Sequence, residues 1–203
     1  FQTRFARHLS IVLGSSEVTP LELARAYGIF AAEGRRFEPV FITAVTDGDG
    51  NTVEFPGTRP RFLPVMRPET ARIMNDMLQT VVQEGTGRNA KKIERPAGGK
   101  TGTTNDSKDV WFAGFTPDLV TVVWMGYDGS RPLGRRVTGG GAAAPIWAAY
   151  MKEALGDRPV REFNPPKTLM PTTREVDAAP GEVPGTEPPA ELPQARTEPQ
   201  ANA

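Results

Sequence analysis

Apolar residues recur at helical spacing after Thr19, where the sequence also carries a helix start signal. Thr19, Pro20 and Glu22 combine an N-cap hydroxyl, a proline at the first helical position and the acidic third residue of a capping box. The apolar face continues at Leu23, Tyr27, Phe30 and Ala31. Gly34 is a stop signal. The pattern predicts a helix from about Pro20 to the residues just before Gly34.

Two further segments have helical periodicity. The segment from about Pro68 to Gln83 places one apolar stripe, which we expect to be buried, at Met74, Met77, Leu78, Val81 and Val82. A last helix is predicted over residues 143–155. The preceding Gly139-Gly140-Gly141 is interpreted as a flexible turn, because the Lys-Ser/Thr of a phosphate-binding P-loop is missing.

Three strands are predicted between these last two helices, at about residues 96–103, 110–116 and 119–127. A short turn, Thr116-Pro117-Asp118, joins the second and third strands, so they should be antiparallel neighbours. The run from Leu119 to Met125 is apolar on both faces, which predicts a central strand covered on both sides.

A hairpin is predicted earlier in the chain. The strand-like runs 41–45 and 52–55 flank the polar turn Asp47-Gly48-Asp49-Gly50-Asn51. An EF-hand calcium loop would need a Glu six residues after its glycine, and Pro56 stands there after Gly50. We therefore interpret the segment as a plain turn.

Composition changes sharply near Gly156. Residues 157–203 contain 10 of the 20 prolines and a single aromatic residue, Phe163. Such a stretch buries too little apolar surface to offset its ordering entropy. We therefore expect a domain over 1–156 and a Pro-rich tail over 157–203. The tail should be disordered beyond about Pro171, and residues 157–169 are able to lie along the folded body. A partner-binding role for the tail is the alternative.

The composition of the 203-residue chain excludes several classes of function. Its formal net charge is zero, so nothing electrostatic favours nucleic acid or an anionic membrane as a partner. It has no Cys and only one His, which excludes a thiolate nucleophile and a Cys/His zinc site. No metal or cofactor is expected. The longest apolar runs are far shorter than the roughly 20 residues of a membrane span. Because the chain starts at Phe1 in mid-pattern, we interpret it as a piece of a longer protein.

The candidate chemistry lies in Lys100-Thr101-Gly102-Thr103-Thr104, at the end of the first of the three strands. Alternation places Lys100 and Gly102 on one face and the first two threonines on the other. Lys100 can orient a nucleophile or proton carrier, the hydroxyls can bind a carboxylate, and the bare Gly102 lets a ligand approach the backbone. The Thr103 N–H is a candidate oxyanion donor. A strand that simply ends in a turn is the alternative for this short motif.

In its context, the motif resembles the transpeptidase domain of class A (bifunctional) penicillin-binding proteins. The resemblance covers about residues 13–155 in order and spacing. It includes Leu13-Gly14-Ser15, Thr19 to Ala24, Glu69-Thr70-Ala71, Gly85-Thr86-Gly87, Gly99 to Asn105, Asp109 to Pro117, Trp124 to Asp128 and Ala144 to Trp147. Lys-Thr-Gly is one of the signature motifs of penicillin-binding proteins and class A β-lactamases.

The resemblance implies an α+β fold, an antiparallel sheet flanked by helices and incomplete at its N-terminus. It also implies a D,D-transpeptidase that cross-links peptidoglycan stem peptides through a serine acyl-enzyme and is trapped by β-lactams. Lys100 would line the site, Thr101, Gly102, Thr103 and Thr104 would bind substrate, and the Thr103 N–H would form half of the oxyanion hole. Asp109 and Trp111 would fix the next strand.

For the parent protein, the resemblance implies a membrane anchor and an upstream glycosyltransferase domain. Its location would be the periplasmic face of the bacterial inner membrane. Cell-wall assembly partners are possible for such a protein.

The chain departs from this family in one respect. Family members carry Ser-x-x-Lys and a second Ser-x-Asn-type motif, and none of the five serines here meets either spacing: Ser10, Ser15, Ser16, Ser107 and Ser130. We therefore expect the nucleophile to lie upstream and this chain to be inactive alone. Another serine acyl enzyme, a carboxypeptidase or β-lactamase, is one alternative. A non-enzymatic sensor or interaction module that keeps the penicillin site is the other.

Overall fold

The computed structural model describes Phe5 and residues 9–53, 61–129 and 131–167. The predicted disorder beyond Pro171 and the end of the predicted hairpin, Glu54 and Phe55, lie outside these residues. In the described part of the chain, no helix is long and apolar enough to span a bilayer.

Helix α1 (Pro20–Ala31) begins as the sequence predicts. The Glu22 N–H donates to Thr19 Oγ1 at 3.2 Å, and the Thr19 N–H donates to Glu22 Oε2 at 3.0 Å, so the capping box is complete. The helix ends at Ala31, and three residues later Gly34 takes a φ of 90°, a conformation that favours glycine. Local signals therefore determine both ends of α1.

Helix α2 (Pro68–Gln83) has the predicted bounds, and two residues of its predicted buried stripe, Leu78 and Val82, are buried. The fully buried positions are Ala71, Asn75, Leu78 and Val82, which are spaced three and four residues apart. Met77 lies one residue off this line and is 50% exposed, so its assignment to the core is wrong. The small Ala71 and the polar Asn75, whose Nδ2 donates to the Phe30 carbonyl, take the core positions instead.

The main sheet contains β5 (Gly98–Thr103), β6 (Val110–Phe115) and β7 (Val120–Met125) in the order β5-β6-β7, and both pairs are antiparallel. The three strands are those predicted, but the expectation that the third would be central is wrong. Within the described residues β6 is central and nearly all buried, while β7 is half-buried. The apolar run of β7 packs on helices and, in the described part of the chain, has a neighbouring strand on one side.

Helices cover both faces of this sheet. On one face α1 packs on β6 and β7, with the Tyr27 ring 6.3 Å from that of Phe115. On the other face α3 (Ala144–Leu155) buries Trp147, whose ring lies 5.2 Å from Phe112 and whose indole N–H donates to the Thr121 carbonyl. The protein therefore has the predicted α+β architecture, and in the described residues a buried apolar cluster lies under α3.

Strand β5 is rich in glycine because aromatic rings of β6 occupy the space beside it. A Cβ on Gly98 would lie 2.9 Å from the Phe115 ring, and one on Gly99 would lie 2.7 Å from the Phe112 ring. Any larger residue at these positions would displace a fully buried ring.

The remaining strands form two short ribbons. β2 (Val45–Thr46) pairs with β3 (Thr52–Val53), which confirms the hairpin but limits its first strand to two residues. The prediction that this strand begins at Phe41 is wrong, since residues 41–44 form no strand and Phe41 is 80% exposed. β1 (Arg35–Phe37) pairs with β4 (Phe62–Pro64), a pairing that the sequence did not predict.

The Asp47 carboxylate stabilises the turn of the β2–β3 hairpin. Asp47 Oδ1 accepts the N–H groups of Asp49 and Asn51 at 3.0 and 2.8 Å. These hydrogen bonds are those of an Asx-type turn. They support the interpretation of the segment as a plain turn.

The segment after α3 lies along the folded body through residue 167. Phe163 stacks edge-to-face on Phe115 with centroids 5.6 Å apart, and Asn164 Nδ2 donates to Glu33 Oε1 at 2.7 Å. The last described residue also contacts the body, since the Lys167 N–H donates to Glu69 Oε1 at 2.6 Å. A single ring and a few polar contacts hold this Pro-rich segment.

Candidate active site

The backbone of β5 is paired on one edge only. The Thr104 N–H donates to the Asp109 carbonyl at 3.0 Å, and antiparallel pairing alternates with a period of two residues. Gly102 and Lys100 therefore bond to β6, whereas the N–H groups of Thr101 and Thr103 point to the opposite edge. Within the described part of the chain, no strand pairs with that edge. An extended ligand can add there as a strand.

A glycine turn packs against the threonine face of β5. Residues Gly139–Ala143 form a π-helical turn, which Thr138 caps and which leads directly into α3. The Gly139 N–H donates to Thr103 Oγ1 at 3.1 Å. A Cβ on Gly139 would lie 2.6 Å from the Gly102 carbonyl oxygen, so only glycine allows this approach. The prediction that this turn is flexible is therefore wrong, because Gly139 is buried and its N–H is bonded to the strand.

The hydroxyl of Thr101 also has a partner. It lies 2.7 Å from the hydroxyl of Thr86, in the turn that follows α2. The two threonine hydroxyls that were predicted to bind a carboxylate are therefore on one face and are held from two different segments.

Lys100 and Gly102 occupy the other face of β5, as the alternation predicts. The Lys100 side chain is exposed, and its Nζ donates to the Thr101 carbonyl at 2.8 Å. Because that carbonyl points to the unpaired edge, the ammonium group lies close to this edge. A Cβ on Gly102 would meet the Cβ of Trp111 at 3.2 Å. Lys100 and Gly102 therefore share a face, and the Trp111 side chain occupies the space beside Gly102.

Thr104 lies at the end of β5, where Asp109 anchors the turn into β6. The Asp109 N–H donates to Thr104 Oγ1 at 2.8 Å, and the Trp124 indole N–H donates to Asp109 Oδ1 at 3.0 Å. The Trp111 ring packs 6.0 Å from that of Trp124. These contacts fix the strand that carries the site, and they engage the Thr104 hydroxyl in the turn rather than at the unpaired edge.

The described serines lie in turns and a short 3-10 helix. The Ser15 hydroxyl donates to Ser10 Oγ at 3.0 Å just before α1, and the Ser107 N–H donates to the Thr104 carbonyl in the β5–β6 turn. Both environments are those of structural residues. Ser130 is outside the described residues.

The arrangement provides backbone donors at an open strand edge, two oriented hydroxyls and one ammonium group. Such a set can bind an extended chain that ends in a carboxylate, and it can place a developing oxyanion against the Thr103 N–H. A family comparison agrees with this chemistry: the family described as penicillin-binding protein transpeptidase domain matches residues 6–152. The chain belongs to this transpeptidase family.

Relatives of this transpeptidase domain are named penicillin-binding protein 1A. The protein of that name from Aquifex aeolicus (strain VF5) is 43% identical over 165 residues, which cover 80% of this chain and 22% of the relative. The one from Neisseria lactamica is 40% identical over 172 residues, which cover 80% of this chain and 21% of the relative. The chain therefore spans about a fifth of the length of these relatives.

Solved structures agree with the family assignment. Penicillin-binding protein 1A from Haemophilus influenzae superposes with a TM-score of 0.73 at 32% identity, over 80% of this chain and 30% of that one. The penicillin-binding protein PonA1 from Mycobacterium tuberculosis gives a TM-score of 0.69 at 29% identity, over 78% of this chain and 44% of that one. The transpeptidase fold expected from the resemblance is confirmed.

Three residues that hold the candidate site in place were not predicted as part of it. They are Thr86, Asn89 and Gly139. Sequence signals existed for two of them, since Gly85 and Gly87 flank Thr86 and three consecutive glycines begin at Gly139. Asn89 Nδ2 donates to the Gly140 carbonyl at 2.8 Å and has no signal of its own.

Proposed function

We propose that this chain forms one wall of the active site of a peptidoglycan D,D-transpeptidase. The observation that carries the proposal is the open edge of β5, where the Thr101 and Thr103 N–H groups point outward beside the Lys100 ammonium. The edge fits a D-Ala-D-Ala stem peptide, which is extended and ends in a carboxylate, and it fits a β-lactam antibiotic that carries the corresponding carboxylate.

Each residue has a role in this mechanism. A serine hydroxyl from an upstream segment attacks the carbonyl carbon of the penultimate D-Ala, and its proton passes to the leaving D-Ala amine. The Thr103 N–H stabilises the oxyanion that forms during this attack. The Thr101 and Thr103 hydroxyls hold the substrate, Gly102 keeps the strand between them free of a side chain, and the Thr104 side chain keeps the end of the strand in place.

Lys100 supplies positive charge to both halves of the reaction. Its ammonium attracts the substrate carboxylate and favours the transfer of the serine proton to a neighbouring carrier. The amine of a second stem peptide then attacks the acyl-enzyme, forms the new amide bond and releases the serine. Cell-wall cross-linking follows from this second step.

The chain alone is proposed to be inactive, since none of its serines has a Lys three residues later. The length of the relatives leaves about four-fifths of such a protein for other segments. We propose that these segments supply the nucleophile, a membrane anchor and a glycosyltransferase domain, at the periplasmic face of the inner membrane. Assembly partners of the cell-wall machinery would bind the full-length protein.

Labelling with a fluorescent penicillin tests the proposal. The full-length protein should be labelled covalently, this chain alone should not, and Lys100→Ala should weaken the labelling of the full-length protein. Lys92→Ala is the matched control, because Lys92 is an exposed lysine of the 3-10 helix Arg88–Ile93. Label on the isolated chain would refute its inactivity. A folded full-length protein that takes no label would favour the non-enzymatic module.

The turnover of a cephalosporin separates the transpeptidase from the other serine acyl enzymes. Stoichiometric trapping is expected for a transpeptidase. Steady hydrolysis would favour a β-lactamase. Release of D-Ala from a stem peptide without cross-linking, when an acceptor amine is present, would favour a carboxypeptidase.

A further inference from the structure

The turn after α2 holds Thr86 in a fixed position beside β5. The Gly85 N–H donates to the Thr80 carbonyl at 3.1 Å, and the Gly87 N–H donates to the Val81 carbonyl at 3.0 Å. The backbone on both sides of Thr86 is therefore tied to the last turn of the helix. Its side chain reaches the Thr101 hydroxyl, with 2.7 Å between the two oxygens.

The same turn also supports the glycine turn on β5. The Thr86 carbonyl packs directly against Gly140, where any Cβ would collide with it. Three residues later, Asn89 donates to the Gly140 carbonyl at 2.8 Å. Since Gly139 in turn donates to Thr103 Oγ1, the segment from Thr86 to Asn89 is connected to both hydroxyls of the site.

The direction of these hydrogen bonds determines what the site can bind. A hydroxyl has one proton to donate and two lone pairs to accept with, and a carboxylate only accepts. Thr103 Oγ1 accepts a hydrogen bond from the Gly139 N–H, so the Thr103 hydroxyl can donate its own proton to a ligand. For Thr101 to present its proton in the same way, Thr86 must be the donor in the pair.

We propose that Thr86 is a positioning residue for carboxylate recognition. It donates its hydroxyl proton to Thr101 Oγ1, which directs the Thr101 proton to a carboxylate bound at the edge of β5. This inference rests on the proposed transpeptidase function and adds to it a residue outside the Lys100–Thr104 motif.

A purely structural role accounts less well for this contact. Thr86 is exposed and Thr101 is only half-buried, so water can replace the hydrogen bond between their hydroxyls with little loss of folding stability. What water cannot replace is the fixed direction of the proton. The effect of removing the Thr86 hydroxyl should therefore depend on whether the ligand carries a carboxylate.

The test compares two ligands on the full-length protein. Thr86→Val removes the hydroxyl and keeps the shape, and it should slow acylation by benzylpenicillin about fivefold, the factor that corresponds to one net hydrogen bond. Acylation by the benzylpenicillin methyl ester, relative to the wild-type rate with that ester, should not change. Thr86→Ser should restore the rate with the acid. Thr80→Val, the same change on the exposed face of α2, is the matched control.

The outcomes separate this inference from the proposed function. If Thr86→Val reacts with the acid as fast as the wild type does, the inference is wrong and the transpeptidase proposal stands. An equal loss with acid and ester would show a structural role and would also overturn the inference. A folded wild-type protein that neither ligand acylates would overturn both proposals.

Discussion

The packing of Gly139 on β5 leads to a specific prediction about Gly139→Ala. The added methyl group would lie 2.6 Å from the Gly102 carbonyl oxygen and also against the carbonyl oxygen of Trp111. Both oxygens belong to the paired backbone of β5 and β6, so they cannot move without breaking the sheet. The glycine turn must move away instead, and its N–H then loses the Thr103 hydroxyl.

The expected cost follows from three opposing effects. Overpacking a tight contact costs about 2 kcal/mol, and the lost hydrogen bond costs about 1 kcal/mol. Replacing glycine by alanine within a helical turn regains about 1 kcal/mol. The free energy of unfolding should therefore fall by about 2 kcal/mol, and the melting temperature by roughly 4–8 °C for a chain of this size.

Urea denaturation of the purified chain measures this change, and penicillin acylation of the full-length protein shows whether the Thr103 hydroxyl is displaced. We expect slower acylation in Gly139→Ala. Gly48→Ala is the matched control, because a Cβ at Gly48 meets open space in the hairpin turn. A Gly139→Ala chain with wild-type stability and a wild-type acylation rate would refute the claim that this turn is held against the strand.

Three further predictions concern side-chain contacts that stabilise the folded domain. A hydrogen bond from Arg72 lowers the pKa of Glu33 below its ordinary value of 4.5, so the ion pair stabilises the fold above that pH and is lost as the pH falls through the folded-state pKa. Glu33→Gln should flatten the acid limb of a stability–pH curve measured by urea denaturation, and an unchanged curve would contradict this. Phe163→Ala should cost about 2 kcal/mol and expose residues 157–167 to limited proteolysis. Asp109→Ala should cost about 1–2 kcal/mol in urea denaturation by removing the acceptor of the Trp124 indole, and wild-type stability would refute that role.

Local signals made part of the fold predictable from sequence. The capping box at Thr19 and the stop at Gly34 depend only on neighbouring residues, and both ends of α1 were predicted correctly. The bounds of the three main strands followed in the same way from alternation and turn residues. The central position of β6 could not be predicted in this way, because the order of strands in a sheet is set by contacts between distant segments.

The candidate site was likewise predictable only where its residues are contiguous. Residues 100–104 carry their chemistry in one strand, and its alternation places Lys100 and Thr101 on opposite faces, as observed. The partner of Thr101 is fifteen residues earlier, and the partner of Thr103 is thirty-six residues later. No local sequence pattern connects positions so far apart. The close approach of Gly139 to the Gly102 backbone depends on the tertiary structure, so the sequence alone does not predict it.

On the proposed transpeptidase function, the glycines of β5 restrict how this strand can change under β-lactam selection. The space at Gly98 and Gly99 is filled by the Phe115 and Phe112 rings, and both rings are fully buried. Any substitution that adds a side chain at either glycine would displace one of these rings and damage the core. We therefore expect viable escape variants to change the threonines of the strand or the turns that hold them, and to leave the two glycines intact.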